Sequence, residues 1–270
     1  MHKTILLTGA TDGIGLETAK TLVAQGHHLL LSGRNSDKLA AVEVQLSSIS
    51  TAGKIETYTA DLSNLADVDM LTKTISEHHT RLDVIINNAG IFSTPHSITA
   101  DGLDVRFVVN TISPYLLTKA LLSQMPNRGR VINVSSAAQS TIDYDALTGN
   151  KSLTDGEAYA QSKLAITMWS RALAISLGNH GPAIIAVNPA SMLGSKMVKN
   201  AFGVTGGGLH IGADILCRAA LSEEFNNANG LYFDNDLGRF SQPHPDAMDD
   251  QKVTQVVAQI EKIIATVQHR

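Results

Sequence analysis

Cysteine is nearly absent: Cys217 stands alone in 270 residues, which excludes an intrachain disulfide framework and suits a reducing compartment. Charge is sparse at 17%, and a net charge of −4 leaves no basic excess of the kind that nucleic-acid surfaces carry. No apolar stretch approaches a membrane span, and the apolar run near Met1 is too short for a signal sequence. The ten histidines show no His-x-x-x-His or His/Cys grouping of metal-ligand type. Composition breaks, internal repeats and low-complexity tracts are also missing. The expectation is one cytoplasmic domain with no metal, nucleic-acid partner or membrane span.

What is present is alternation. Short β-branched or leucine-rich runs fall at residues 4–8, 28–32, 55–60, 84–87, 130–135, 183–188 and 230–233. Helix-length patterns separate them, at 16–25, 36–48, 65–78, 103–125, 157–177 and 209–224. Strands alternating with helices predict an α/β fold: a doubly wound parallel sheet of about seven strands with helices on both faces. Residues 137–156 form a polar insert outside this rhythm, and 190–208 form a segment ending in the hinge-like Gly206-Gly207-Gly208. A last amphipathic helix is expected at 249–267, with Val253, Val256, Val257, Ile260, Ile264 and Val267 on one stripe.

The first strand runs straight into Thr8-Gly9-Ala10-Thr11-Asp12-Gly13-Ile14-Gly15, and a helix follows. That is the context of a dinucleotide-binding turn. Gly9 allows the tight turn, Gly13 lets backbone approach a pyrophosphate, and Gly15 lets helix and sheet pack closely. The helix start then offers free N–H groups to the anion.

Farther along, Tyr159 and Lys163 stand four residues apart in a helical stretch. Four residues make one turn and a rise of about 6 Å, so both side chains leave one face. An ammonium there would favour the phenolate and lower a phenol pKa that starts at about 10. Alone, the pair equally fits a half-buried helix face with a solvated lysine.

Taken together, the Gly-x-x-x-Gly-x-Gly spacing, Asn87-Asn88-Ala89-Gly90, Ser135-Ser136 and Tyr159-x-x-x-Lys163 resemble the short-chain dehydrogenase/reductase family. The likeness is to its compact single-domain branch and runs from Lys3 to about Phe233. It implies a Rossmann-type fold and an enzyme. Tyr159 would be proton donor or acceptor. Lys163 would bind the nicotinamide ribose and favour the tyrosinate, and Ser136 would hydrogen-bond the substrate oxygen. Asn110 would position a water beside the lysine. Asp61-Leu62 would flank the adenine, Asn88-Ala89-Gly90 would lie along the cofactor, and Pro189, Ser191 and Met192 would pass the nicotinamide.

NAD-using members usually end the second strand with a carboxylate for the ribose 2′-OH. Here Gly33 stands there, followed by Arg34, which suits the 2′-phosphate of NADP and makes NAD the second choice. Asp12 argues the other way, because many NADP-using relatives carry a basic residue at its place. Two departures stand out. Asn188-Pro189-Ala190 replaces the usual Asn-Pro-Gly, and alanine resists positive φ, so the path of the chain there is expected to alter. The second is distance: Ser136 and Tyr159 stand 23 residues apart, longer than in the family's most compact members, and the insert this makes should build part of the substrate mouth. Ile91, Phe92, Ile142, Met192, Leu193, Met197 and Phe202 are candidates for an apolar wall.

Helices 103–125 and 157–177 are poor in charge and apolar nearly all round, so each must be buried on more than its sheet side. The resemblance implies a homodimer or homotetramer built on them; the alternative is that the last helix covers them within one chain. The sequence therefore reads as an NADP-preferring oxidoreductase interconverting a carbonyl and an alcohol. The alternatives are a catalytically idle NADP-binding sensor or scaffold, and a reductase of carbon–carbon double bonds.

Overall fold

The computed structural model describes residues 2–49 and 53–268, with Phe202 described by its backbone only. Among them the chain runs β1 (Thr4–Thr8), α1 (Gly13–Ala24), β2 (His28–Gly33), α2 (Ser36–Ser47), β3 (Ile55–Thr59), α3 (Leu65–His78) and β4 (Val84–Asn87). Then come α4 (Val105–Phe107), a π-helical turn (Val108–Ile112), α5 (Ser113–Leu121), β5 (Arg130–Val134), α6 (Tyr144–Leu147) and α7 (Asp155–Leu177). The remainder is β6 (Ala183–Asn188), α8 (Lys196–Phe202), α9 (Leu209–Leu221), β7 (Tyr232–Asp234), β8 (Arg239–Ser241) and α10 (Asp250–Gln268).

The sheet has eight strands in the order β3-β2-β1-β4-β5-β6-β7-β8, parallel except for the antiparallel β8. The strand missed in the sequence is β8: three residues are too few to show a periodicity. It closes the β7 edge, and Pro243 follows it, which keeps the new edge from templating further pairing. One buried cluster lies under α3, α5, α7 and α10, the other under α1, α2 and α9. Strand order reverses between β1 and β4, where the crevice for a ligand opens at the strands' C-terminal ends.

Two helices depart from expectation. The expected helix over 103–125 is broken into α4, the π-turn and α5. Pro114 has no N–H to return to the carbonyl four residues back, that of Asn110, and the helix widens there. α7 begins at Asp155 because Thr154 and Glu157 form a capping box, each side chain bonding the other's backbone N–H. Asp155 also meets the buried guanidinium of Arg106, which Asp104 holds from its other side.

The apolar faces of α5 and α7 are covered within the chain. α10 buries Val253, Val256, Ile260, Ile263 and Ile264 in the cluster that holds Trp169 and Leu117. Tyr115 donates to Glu261 at 2.6 Å, and Arg171 pairs with Asp250 at 2.7 Å. The chain's own last helix thus packs on α7 and reaches α5 at Tyr115, over part of the face expected to pair with a second subunit. No described helix is long and apolar enough to cross a membrane.

Candidate active site

The glycine turn is held from β4. Asn88 Nδ2 donates to the carbonyls of Thr8 (3.0 Å) and Gly9 (3.2 Å), and Thr8 Oγ1 accepts from the Asn88 and Ala89 amides at 3.1 Å. A Cβ on Gly9 would meet Ala89 Cα at 2.8 Å, and one on Gly15 would meet the Gly9 carbonyl oxygen at 2.2 Å, so neither position has room for a side chain. Asp12 caps α1, accepting from the Gly13 amide at 2.8 Å, and pairs with Lys196 Nζ at 2.6 Å. Burial pushes the Asp12 carboxyl up, but the hydrogen bond from Lys196 and the helix start outweigh it and leave the pKa lowered. The objection that Asp12 raises against NADP weakens accordingly, since its charge is already answered.

A cleft of about 1000 Å³ opens above this turn. It gathers Gly9, Thr11, Asp12, Gly13, Ile14, Gly15, Arg34, Asp61, Leu62, Asn88, Ala89, Gly90, Ser136, Tyr159, Lys163, Pro189, Ser191 and Met192. Every catalytic or cofactor-binding residue named from the sequence is here except Asn110. That side chain is buried, with Oδ1 accepting from the Ile91 amide (2.9 Å) and Nδ2 donating to Ile91 O (3.0 Å) and Ser162 Oγ (2.9 Å). Its amide therefore braces the loop after β4 against α7. The sequence missed Lys38, Lys196 and the loop from Ser93 to His96, which also line the cleft. Lys38 follows Arg34 by four residues, a spacing that could have flagged it; Lys196 arrives through a distant loop and left no local sign.

Consecutive residues at the end of β5 separate into two roles. Ser135 is buried, its hydroxyl donating to Lys163 O at 3.0 Å and paired with Thr167 Oγ1 at 2.7 Å. Ser136 points into the cleft and its hydroxyl bonds the Tyr159 side chain. The Phe92 ring packs on the Tyr159 ring, centroids 5.0 Å apart.

Electrostatically the site differs from the sequence expectation. Burial pushes the Tyr159 phenol up, opposed only by the Ser136 hydrogen bond, and pushes Lys163 down to about 8. Lys163 Nζ donates to Val134 O at 2.7 Å and sits 5.6 Å from the centre of the Tyr159 ring. The expected lowering of the phenol pKa is absent because desolvation outweighs the Ser136 hydrogen bond.

The two departures resolve differently. Ala190 adopts φ 114, so the chain keeps the glycine-like path that alanine was expected to lose, at a backbone cost on the order of 1–3 kcal/mol. The insert hardly forms the mouth: only Ala138 and Gly156 of residues 137–156 line the cleft. Its acidic residues are structural instead, with Asp143 capping α6 and pairing with Lys151 at 2.6 Å. Of the expected apolar wall, Ile91, Phe92, Met192, Leu193 and Met197 line the cleft, while Ile142 is buried in the core under α7. The Phe202 side chain lies outside the described residues.

A dinucleotide fits these residues. The cleft offers open backbone at Gly13, whose added Cβ would meet nothing nearer than Ser195 Cβ at 3.8 Å, two cations at the α2 end, and an unpartnered buried hydroxyl at Ser32.

Comparison with known proteins agrees with the geometry. The profile of the family described as short chain dehydrogenase matches residues 3–203. Human retinol dehydrogenase 13 is 28% identical over 97% of this chain and 84% of its own length. Human retinol dehydrogenase 11 is 33% identical over 73% of this chain and 63% of its own length. Among solved structures, angucycline C-6 ketoreductase with bound NADP is 25% identical, with a TM-score of 0.69 over 86% of this chain and 93% of that one.

Proposed function

The chain belongs to the short chain dehydrogenase family, and from that membership we propose that it is an NADP-preferring oxidoreductase interconverting an apolar aldehyde or ketone and its alcohol. The class itself, an NAD(P)-dependent oxidoreductase acting on CH–OH or C=O groups, follows from the family and its retinol dehydrogenase relatives. The observation that carries the finer reading is the meeting of Ser136, Tyr159 and Lys163 in the cleft that also holds the glycine turn.

The coenzyme would lie along Gly13–Gly15 and Asn88–Gly90, with Arg34 and Lys38 toward its 2′-phosphate; when bound, its nicotinamide supplies or takes the hydride. The rest is done by side chains. Ser136 hydrogen-bonds the substrate oxygen and steadies the charge that grows there. Tyr159 delivers its proton to that oxygen, and a phenol pushed up by burial remains protonated at neutral pH, ready to give. Lys163 stabilises the tyrosinate left behind. Asn110 fixes Ile91, and with it one wall of the cleft, against α7. NADP is supported by the paired cations and by the bound NADP in the ketoreductase. An apolar substrate is supported by Phe92, Leu193 and Met197 on the cleft wall.

A screen of NADPH oxidation over aldehydes, ketones, quinones and steroids, with the products identified, tests this reading. Alcohols should form. Saturation of a carbon–carbon bond would favour the double-bond alternative, and NADPH binding without turnover of any substrate would favour the sensor.

A further inference from the structure

We infer that the turn between β7 and β8 holds Ala190 in its left-handed conformation, and that Asp236 in this turn is a positioning residue for coenzyme binding. The inference rests on the reading above that the cleft takes a nicotinamide nucleotide. It identifies what lets an alanine stand where the family resemblance led one to expect glycine.

Ala190 has φ 114, a region that a residue with a Cβ occupies only when its surroundings over-determine it. Those surroundings come almost entirely from one turn. On the N-terminal side of Ala190, the Asn235 amide donates to Asn188 O at 3.1 Å, and Asn235 Nδ2 donates to Pro189 O at 3.0 Å. Asn188 Nδ2 is shared between Asp234 (2.8 Å) and Asp236 (2.9 Å). On the C-terminal side, Asp236 Oδ1 accepts from the Ser191 amide at 2.8 Å, and Oδ2 accepts from the Ser191 hydroxyl at 2.5 Å. Residues 188, 189 and 191 are thus all fastened to Asn235 and Asp236, and the peptide units flanking Ala190 have no freedom to rotate it back.

The turn is itself rigid. The Asp236 amide donates to Asp234 Oδ1 at 3.0 Å, and β8 anchors its far end by pairing with β7. It lies beyond the residues that the family profile matches, so the family pattern does not account for it. Asp236 also sets the polarity of Ser191. With its proton given to the carboxylate, the Ser191 oxygen presents lone pairs to the cleft, which suits a carboxamide NH₂ of the coenzyme. Releasing the turn would let Ala190 relax to negative φ, and coenzyme binding would then have to restore the competent conformer. Apparent affinity falls in proportion to the fraction of competent conformer.

The test uses the full chain with Asp236→Ala, the milder Asp236→Asn, and Asp236→Ala combined with Ala190→Gly. NADPH affinity is read by fluorescence titration, and hydrogen exchange is read at the Ser191 amide without coenzyme. The expected result is an NADPH Kd raised about tenfold or more in Asp236→Ala, less in Asp236→Asn, and largely restored by Ala190→Gly, which reaches positive φ without help. Exchange at Ser191 should quicken in both single variants. Unchanged affinity in Asp236→Ala, a loss that Ala190→Gly does not repair, or unchanged exchange at Ser191 would each overturn the inference. Should the unaltered protein bind neither NADPH nor NADH, the coenzyme reading fails, while the exchange measurement still decides whether Asp236 restrains this segment.

Discussion

Lys163 Nζ donates to the carbonyl of Val134 at 2.7 Å and lies 5.6 Å from the centre of the Tyr159 ring, so the two side chains share a face without sharing a proton. Burial alone pushes the ammonium down to about 8. Its charge is present below that pH and lost above it. Carbonyl reduction should therefore hold level at lower pH and decline as pH rises through about 8, because the tyrosinate formed in each turnover loses its cationic neighbour. Initial rates from about pH 6 to about pH 10 check this. A profile level to about pH 10, where phenols ordinarily ionise, would contradict it.

Arg34 and Lys38 border the same end of the cleft, and β2 ends in Gly33 instead of a carboxylate. Charge-assisted bonds to a 2′-phosphate are worth about 1.5–3 kcal/mol each, or roughly ten- to a hundredfold in affinity. Arg34→Ala should raise KM for NADPH by about that factor and leave KM for NADH nearly unchanged, with Lys38→Ala acting in the same direction more weakly. Equal losses with both coenzymes would show that Arg34 does not discriminate between them.

The β2–β3 edge carries a cluster outside the site. Glu56 takes hydrogen bonds from His28 at 2.9 Å and Tyr58 at 3.0 Å, ion pairs with Lys54 at 2.5 Å, and lies 3.3 Å from His79 Nε2. Burial raises the Glu56 carboxyl, but these partners outweigh it and hold the pKa at about 2, against 4.5 unperturbed. The folded value is depressed, so the stabilisation is fully present above 4.5 and lost as pH falls through about 2. Glu56→Gln should cost about 1–3 kcal/mol at neutral pH, and the gap from the unaltered protein should narrow in acid. Urea unfolding at several pH values measures it; a gap independent of pH would contradict the assignment.

The way α10 covers α5 and α7 bears on assembly. With Glu261 accepting from Tyr115 and Asp250 pairing with Arg171, part of the pairing face implied by the family resemblance is covered within the chain. Light scattering should give the mass of one chain, 28.7 kDa. A dimer that persists on dilution would place the interface on another surface.

Much of this was legible in the sequence, because local rules govern it. The strand–glycine turn–helix at Thr8–Gly15 and the one-turn spacing of Tyr159 and Lys163 are short-range patterns, and both sit in the cleft as expected. What escaped depends on contacts distant along the chain. The charge of Asp12 is answered by Lys196, and the acidic insert serves its own caps and Arg106. Asn110 spends its amide on Ile91 and Ser162. Ala190 looked like a break in the pattern because Asp236, which restrains it, lies in a turn that carries no periodic signal. Two features were readable and missed: the Thr154–Glu157 capping box and the breaking effect of Pro114.

The most direct test is single-turnover carbonyl reduction by Tyr159→Phe beside the unaltered protein, with NADPH binding measured on both. The variant keeps the ring that Phe92 packs against and loses only the hydroxyl proposed to carry the proton. NADPH affinity should hold within about threefold while reduction slows by roughly 10²–10⁴-fold, the usual worth of a positioned acid. Reduction at an unchanged rate would contradict the role of Tyr159 and, with it, the account of the cleft as a carbonyl-reducing site.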